Sequence, residues 1–265
     1  MIVRPLPDVH PLLPLHSRRD REFDRIVIEG RIAIDRALEA GVSFDLVLAN
    51  EEQLKTFTVP DEVEVFLTDQ AGFEKHLGFP FHRGIVAMMN RSSWMPALPR
   101  WNTERVLIPV LAQLADPVNV GAIVRSGAAF GASAVVADNK GADPYSRRSM
   151  RASMGSVFTV PTLVREPLSV LSELRLQRAD TRVIALAPSG ECTLDELSPQ
   201  GCDVLLLGHE GSGLSDELFA EADLRVGVPI SDRVDSLNVA AAAAIVLHAL
   251  RALKNCSSAS VCSGV

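Results

Sequence analysis

Segment 204–214 reads Val204-Leu205-Leu206-Leu207-Gly208-His209-Glu210-Gly211-Ser212-Gly213-Leu214, an apolar run that ends in a turn with three glycines. Because the run is continuous and not alternating, it predicts a strand buried on both faces. Glycines let the backbone take positive φ angles and approach a ligand closely. Two interpretations stay open: a ligand-binding loop, or a tight strand-to-helix turn with Glu210 near the next helix N-terminus, where a carboxylate is favourable.

Further apolar runs of the same kind occur on both sides of this segment. They alternate with helical patterns, which is typical of an α/β fold with a parallel sheet covered on both faces. The predicted strands are Val106–Leu111, Ala134–Ala137, Arg182–Ala187, Val204–Leu207 and Leu224–Val228. Residues 105–254 are therefore predicted to form one α/β domain.

Two other stretches also join a predicted strand end to a turn or helix start. One runs from Asn119 to Arg125, at the start of a helix predicted over 121–130, and the other runs from Val228 through Ser236 and Asn238. The three stretches are predicted to form one composite site at one end of the sheet. Alternatives remain for single residues: Arg125 as a solvated side chain or a phosphate ligand, and Ser236 or Asn238 as a helix N-cap only.

The first part of the chain is predicted to form a separate, smaller unit. Residues 1–20 read as a proline-punctuated arm, 21–90 as a small α/β domain, 91–104 as a linker and 255–265 as a disordered tail. Trp94 and Trp101 in the linker either pack against a domain face or stack on bases, and packing is favoured.

Composition and charge exclude several classes of protein. The formal net charge of −7 argues against a highly basic nucleic-acid coat, although a local cluster at Arg147, Arg148 and Arg151 is either a solvated face or a site for RNA phosphates. The four cysteines lack zinc-type spacing and indicate free thiols in a reducing compartment. With no metal motif, apolar leader or membrane-length apolar run, a cytoplasmic protein with no metal and no membrane contact is expected.

The three stretches, in this order, resemble the three motifs of the SpoU-type RNA ribose 2′-O-methyltransferases of the SPOUT superfamily. The likeness covers about residues 105–254, and Arg151–Gly155 is similar to an intermediate basic stretch. Residues 22–90 resemble the small α/β (L30e-like) substrate-binding domain that precedes many such catalytic domains. The motif residues are Asn119, Gly121, Arg125, Phe130 and Gly131; Gly208, Glu210, Gly211, Gly213 and Leu214; and Pro229, Ser236, Leu237, Asn238 and Val239.

This resemblance implies a deep trefoil knot, a homodimer whose active site draws on both subunits, and S-adenosylmethionine as cofactor. The implied cofactor-binding residues are Gly208, Val228, Ile230, Leu237 and Val239. The implied catalytic residues are Arg125, Asn119, Glu210, Ser236 and Asn238, with Arg125 as base or clamp and Glu210 orienting Arg125 or its equivalent across the dimer. The residues expected to bind RNA are Arg31, Arg147, Arg148 and Arg151.

The function that the resemblance implies is methyl transfer to a ribose 2′-hydroxyl, with ribosomal RNA favoured as substrate. Two alternatives remain at this stage: a transfer RNA 2′-O-methyltransferase, or a non-catalytic RNA-binding or ribosome-assembly factor that has retained the fold. The sequence does not specify which RNA and which nucleotide would be modified.

Overall fold

The computed structural model of the protein describes residues 2–7, 10–13, 15, 24–94, 96, 101–187 and 190–251. The predicted tail, 255–265, lies outside the described residues, as do parts of the predicted arm and linker. Cys192 and Cys202 are free thiols.

An N-terminal sheet of five strands follows the order β1-β4-β3-β5-β2. Strand β5 runs antiparallel to β2 and β3, whereas β1, β3 and β4 are mutually parallel. Its strands are β1 (Val3–Pro5), β2 (Arg25–Glu29), β3 (Leu46–Ala49), β4 (Glu64–Leu67) and β5 (Ile85–Asn90), and its helices are α1 (Arg31–Glu39), α2 (Glu51–Leu54) and α3 (Gln70–Leu77). Strand β1 comes from the predicted arm and forms the edge of this sheet.

A second sheet of six strands follows the order β11-β9-β10-β6-β7-β8, and all its pairings are parallel. Its strands are β6 (Val106–Leu111), β7 (Val135–Ala137), β8 (Thr162–Val164), β9 (Thr181–Leu186), β10 (Cys202–Leu207) and β11 (Leu224–Val226). Along β10, Leu205 and Leu207 pack into one hydrophobic cluster while Val204 and Leu206 pack into another on the opposite face. The predicted parallel α/β sheet with both faces covered is confirmed.

Five helices accompany the second sheet: α4 (Pro117–Ala129), α5 (Arg147–Ser153), α6 (Pro167–Gln177), α7 (Asp216–Ala220) and α8 (Val239–Ala249). Helix α4 starts at Pro117, not at Gly121, because the Asp116 side chain accepts from the amide of Val118 as N-cap and Pro117 suits the first position. Asn119 therefore lies in the first turn of the helix. The sequence pattern does not predict α5 or β8.

The two sheets share one continuous hydrophobic cluster that runs from β2 and α1 into α4 and α5. Gly155 has φ +79°, and a Cβ there would lie 2.7 Å from Cα of Ala33. Arg36 on α1 donates to the carbonyl of Met154 at 2.8 Å. Trp94 packs edge-on against Phe158, so it packs as favoured from the sequence. Within the described residues, no helix combines the length and apolarity needed to span a bilayer.

Candidate active site

The three sequence stretches meet at the carboxyl edge of the second sheet. Because its strands are parallel, the ends of β6, β9, β10 and β11 lie at one edge, where open α/β sheets bind ligands. The first stretch follows β6 on α4, the second follows β10 and the third follows β11. A cavity of about 630 Å³ opens between the second and third stretches.

A chain of hydrogen bonds connects one polar residue from each stretch. Asn119 Nδ2 donates to Glu210 Oε1 at 2.9 Å, and Asn238 Nδ2 donates to Asn119 Oδ1 at 3.0 Å. Glu210 also accepts from the backbone amides of Ala115 and Asp116, at 3.2 and 3.3 Å. The carboxylate therefore fixes both the loop before α4 and the asparagine that leads to the third stretch.

These donors set the protonation of Glu210. Partial burial disfavours its charged form and by itself would raise the pKa of the carboxyl group. The hydrogen bonds from Asn119 and from the backbone amides outweigh burial, so the pKa lies below its ordinary value. Glu210 is therefore an anionic acceptor at neutral pH.

The glycine-rich loop after β10 folds back on itself. His209 and Gly213 exchange backbone hydrogen bonds at 3.0 and 2.9 Å, and Gly213 has φ +71°. The ring Nδ1 of His209 accepts from the amides of Gly211 and Ser212, at 3.0 and 3.3 Å. A Cβ on Gly208 would lie 2.4 Å from the backbone of Gly213. Glycine at 208 is thus required for the loop to close.

All five residues predicted to bind cofactor line the 630 Å³ cavity: Gly208, Val228, Ile230, Leu237 and Val239. Among the described residues, Val228, Ile230 and Leu237 make no backbone hydrogen bond. Sequence reasoning missed Leu186 and Asp235, which also line the cavity. Leu186 ends β9, and its place at a predicted strand end was the available signal.

The third stretch contributes two polar residues with different positions. Asn238 is the N-cap of α8, since its Oδ1 accepts from the amides of Ala240 and Ala241 at 2.9 and 3.3 Å. It therefore caps the helix and also bonds Asn119. Ser236 is exposed and lines the cavity. Asp232, Asp235 and Glu210 are also lining residues, so three acidic residues border the cavity.

Arg125 does not line this cavity. It lies on α4 about 9 Å along the helix axis from Asn119, at about 1.5 Å per residue, and on a different face. Its side chain is exposed and makes no hydrogen bond or ion pair with any residue the structure describes. Arg125 instead lines a second cavity of about 540 Å³ between the two sheets' domains. The predicted contact from Glu210 to Arg125 is not formed within this chain.

The four arginines predicted to bind RNA have different environments. Arg147 is buried, with Nη1 3.6 Å from Glu29 Oε1 and a further bond to the Leu15 carbonyl, so it cannot reach RNA directly from this position. Arg148 is exposed and lies 3.9 Å from Asp116. Arg151 is half exposed and donates to Glu29 Oε2 at 2.7 Å. Arg31 donates to the two carboxylate oxygens of Asp35 at 2.7 and 2.9 Å and to the Thr56 carbonyl at 3.1 Å. Both arginines line the second cavity.

No group of three or more histidine, cysteine or acidic residues is placed to hold a metal ion in the described parts of the chain. The cavity at the sheet edge offers backbone groups, aliphatic side chains and carboxylates. This set suits an organic ligand that carries a positive charge.

Comparison with known proteins gives consistent similarities. The sequence profile of the SpoU rRNA Methylase family matches residues 106–248. The chain is 26% identical over 239 residues to the 23S rRNA (guanosine(2553)-2'-O)-methyltransferase RlmP of Bacillus subtilis, covering 89% of this chain and 93% of that protein. It is 34% identical over 176 residues to an uncharacterized tRNA/rRNA methyltransferase of Mycobacterium bovis, covering 65% of this chain and 60% of that relative's length. The crystal structure of the SpoU methyltransferase AviRb from Streptomyces viridochromogenes, in complex with the cofactor AdoMet, matches with a TM-score of 0.74 and 26% identity, covering 88% of this chain and 91% of that one.

Proposed function

The chain belongs to the SpoU rRNA methylase family, and from that premise we propose that it transfers a methyl group from S-adenosylmethionine to a ribose 2′-hydroxyl of ribosomal RNA. The observation that carries the proposal is the hydrogen-bonded chain from Glu210 through Asn119 to Asn238, which joins all three motifs at one cavity. The name of the Bacillus subtilis relative supports ribosomal RNA as the substrate.

The cavity fits S-adenosylmethionine by the chemistry of its lining. Ile230 and Val239 offer an apolar surface to an adenine ring, and the backbone groups of Val228 and Leu237 remain available to hydrogen-bond its edge. The cofactor supplies an electrophilic methyl group on a positively charged sulfur. Carboxylates in the lining favour a cation there by Coulomb attraction.

The residues of this chain act by binding and orienting. Glu210 and Asn119 hold the loops that form the cavity, and Asn238 fixes the start of α8 against them. Apolar lining excludes water, and holding the reacting atoms in line supplies much of the acceleration. A guanidinium suits the role of an anion clamp because it offers a planar fork of N–H donors and no acceptor. Arg125 therefore clamps an RNA phosphate and polarises the 2′-oxygen, and it does not act as the base.

The proposed active site includes residues from both subunits of a homodimer. Arg125 lies outside the cofactor cavity of its own chain, so the clamp over that cavity is Arg125 of the partner subunit. The deep trefoil knot implied by the family belongs to the same proposal. Residues 21–90 are proposed to bind RNA, and a cytoplasmic location remains a prediction.

Two experiments test this function. Purified protein is incubated with tritiated S-adenosylmethionine and either ribosomal or transfer RNA from a strain that lacks the gene; label is expected in ribosomal RNA. Mapping of 2′-O-methyl marks in total RNA with and without the gene then identifies the nucleotide. Label confined to transfer RNA would contradict ribosomal RNA as the substrate and assign transfer RNA instead. Cofactor binding with no label in either RNA would contradict catalysis.

A further inference from the structure

The cavity between the two domains is lined by an unusual set of charged side chains. Four arginines and one glutamate surround about 540 Å³, in a chain whose net charge is −7. We call this cavity the arginine cleft; its arginines are Arg31 and Arg83 from the N-terminal domain and Arg125 and Arg151 from the C-terminal domain. Positive charge is thus concentrated where the two domains meet.

The one carboxylate of the cleft is already engaged by arginines. Glu29 is buried, with Oε2 2.7 Å from Arg151 Nη2 and Oε1 3.6 Å from Arg147 Nη1. Arg31 is likewise engaged by Asp35. The remaining positive charge of the cleft comes from Arg83 and Arg125.

These two arginines retain most of their donors. Arg125 has no hydrogen bond or ion pair with a described residue, and Arg83 makes one bond, from Nη1 to the Glu29 carbonyl at 3.3 Å. A guanidinium carries five N–H donors in a planar fork that matches phosphate oxygens. Both side chains are exposed, so a ligand from solvent can reach them.

The N-terminus of α1 points to the charge of the missing ligand. The N-cap Gly30 provides no side-chain hydrogen bond, and the first turn of α1 holds no acidic residue. Arg31 is the first residue of the helix, and the Arg83 side chain lies over Gly30, with Cδ 3.1 Å from where a Cβ would be. A helix N-terminus carries a partial positive charge and favours anions. Arg31 is already paired with Asp35, whereas Arg83 has no carboxylate partner among the described residues, so an anion is favoured beside Arg83.

We propose that the arginine cleft binds a phosphodiester of the RNA substrate, held between Arg83 of the N-terminal domain and Arg125 of the catalytic domain. The inference rests on the proposed function, since it assigns the path of the RNA backbone across the domain boundary. It also adds a binding residue, Arg83, that lies outside the three motifs of the catalytic domain.

The test measures RNA binding without methyl transfer. Fluorescence anisotropy follows a short fluorescein-labelled single-stranded RNA as it binds the full chain over a range of KCl concentrations. Arg83→Gln is expected to weaken binding about tenfold and to reduce the slope of log affinity against log salt by about one. Arg83→Lys keeps the charge but loses the fork, so its affinity is expected to lie between those of Arg83→Gln and the wild type.

The matched control is Arg175→Gln on α6, which removes one arginine outside the cleft and is expected to leave affinity and slope unchanged. Calorimetry with S-adenosylmethionine and thermal melting verify that each variant is folded. If Arg83→Gln and Arg175→Gln have equal affinity and slope while the protein still methylates RNA, the proposed RNA-binding role of the arginine cleft is overturned and the proposed function is not. A wild type that neither binds the cofactor nor methylates RNA would overturn the proposed function, whatever the effect of Arg83.

Discussion

Asn119 Nδ2 lies 2.9 Å from Glu210 Oε1, and this hydrogen bond joins the start of α4 to the glycine-rich loop after β10. The second bond of the same amide, from Asn238 Nδ2 to Asn119 Oδ1, extends the connection to α8. An asparagine side chain suits this position because it both donates and accepts. The loops of the cavity are therefore positioned by one another.

Glu210→Gln is predicted to weaken cofactor binding. Glutamine keeps one oxygen and replaces the other with an NH2 group, which would face either the amide of Ala115 or the donors of Asp116 and Asn119, all of which now donate to the carboxylate. Leaving such donors unsatisfied costs about 1–3 kcal/mol, so calorimetry should show about a tenfold rise in the Kd for S-adenosylmethionine. Glu217→Gln on α7 makes the same chemical change at an exposed position and should leave the Kd unchanged; equal losses in both variants would contradict the role of Glu210.

The stabilisation from Glu210 is predicted to depend on pH in the acidic range only. Its pKa in the folded protein is below the ordinary 4.5, so the charged form stabilises the fold above that value. The contribution is lost as pH falls through the lowered pKa. The difference in Tm between wild type and Glu210→Gln should stay constant from neutral pH to about pH 5 and shrink only below 4.5. A difference that disappears nearer neutrality would show that the carboxyl group is not held in its charged form.

Arg125→Ala is predicted to separate turnover from cofactor affinity. Arg125 lines the arginine cleft and not the cofactor cavity, so its loss removes orientation of the RNA. A fall in kcat of about 100-fold or more is expected, with the Kd for S-adenosylmethionine unchanged. Single-turnover kinetics and calorimetry measure the two quantities, and a parallel loss of both would refute this division of labour.

The sequence predicted the parallel sheet and a composite site at one of its edges because both depend on local patterns, whereas the cofactor-binding residues were assigned from the resemblance. Continuous apolar runs such as Val204–Leu207 specify buried strands, and parallel strands place their ends at one edge. The residues after those ends, Gly208 and Val228, therefore had to meet. Not every short element was predicted: β7 and β11 were, whereas β8, which also has three residues, was not.

The environments of the arginines could not be predicted from local sequence. Arg147 and Arg148 are adjacent in the chain, yet one is buried beside Glu29 and the other is exposed. The difference arises because α5 packs its Arg147 face against β2, a contact between residues more than a hundred positions apart. Arg83 lies outside the three motifs of the second domain, and its place over Gly30 depends on a contact between residues far apart in the chain.

Arg91→Ala is predicted to loosen the contact between the domains. Arg91 follows β5 and binds the Asp143 carboxylate through two bonds, at 2.5 and 3.0 Å. Asp143 is buried, and this contact raises the pKa of Arg91 above its ordinary value despite opposing burial. Because a buried carboxylate loses a charged partner, the free energy of unfolding should fall by about 2 kcal/mol in urea denaturation. Arg175→Ala, which breaks a more exposed pair with Glu221, should cost less than about 1 kcal/mol; equal costs would contradict the prediction.

Two glycines of α4 are predicted to differ in how their replacement by alanine changes the stability of the protein. At Gly121, a Cβ would lie 2.2 Å from the carbonyl oxygen of Ser149, so the glycine of the first motif permits close packing of α4 on α5. At Gly127, the nearest atom would be Val135 Cγ2 at 3.2 Å, a side-chain methyl that can move. Alanine favours a helix over glycine by about 1 kcal/mol. Gly127→Ala should therefore be close to neutral in thermal unfolding, whereas Gly121→Ala should lose about 2 kcal/mol net because the backbone of α5 has to shift. If Gly121→Ala were as stable as Gly127→Ala, this glycine would serve ligand approach and not helix packing.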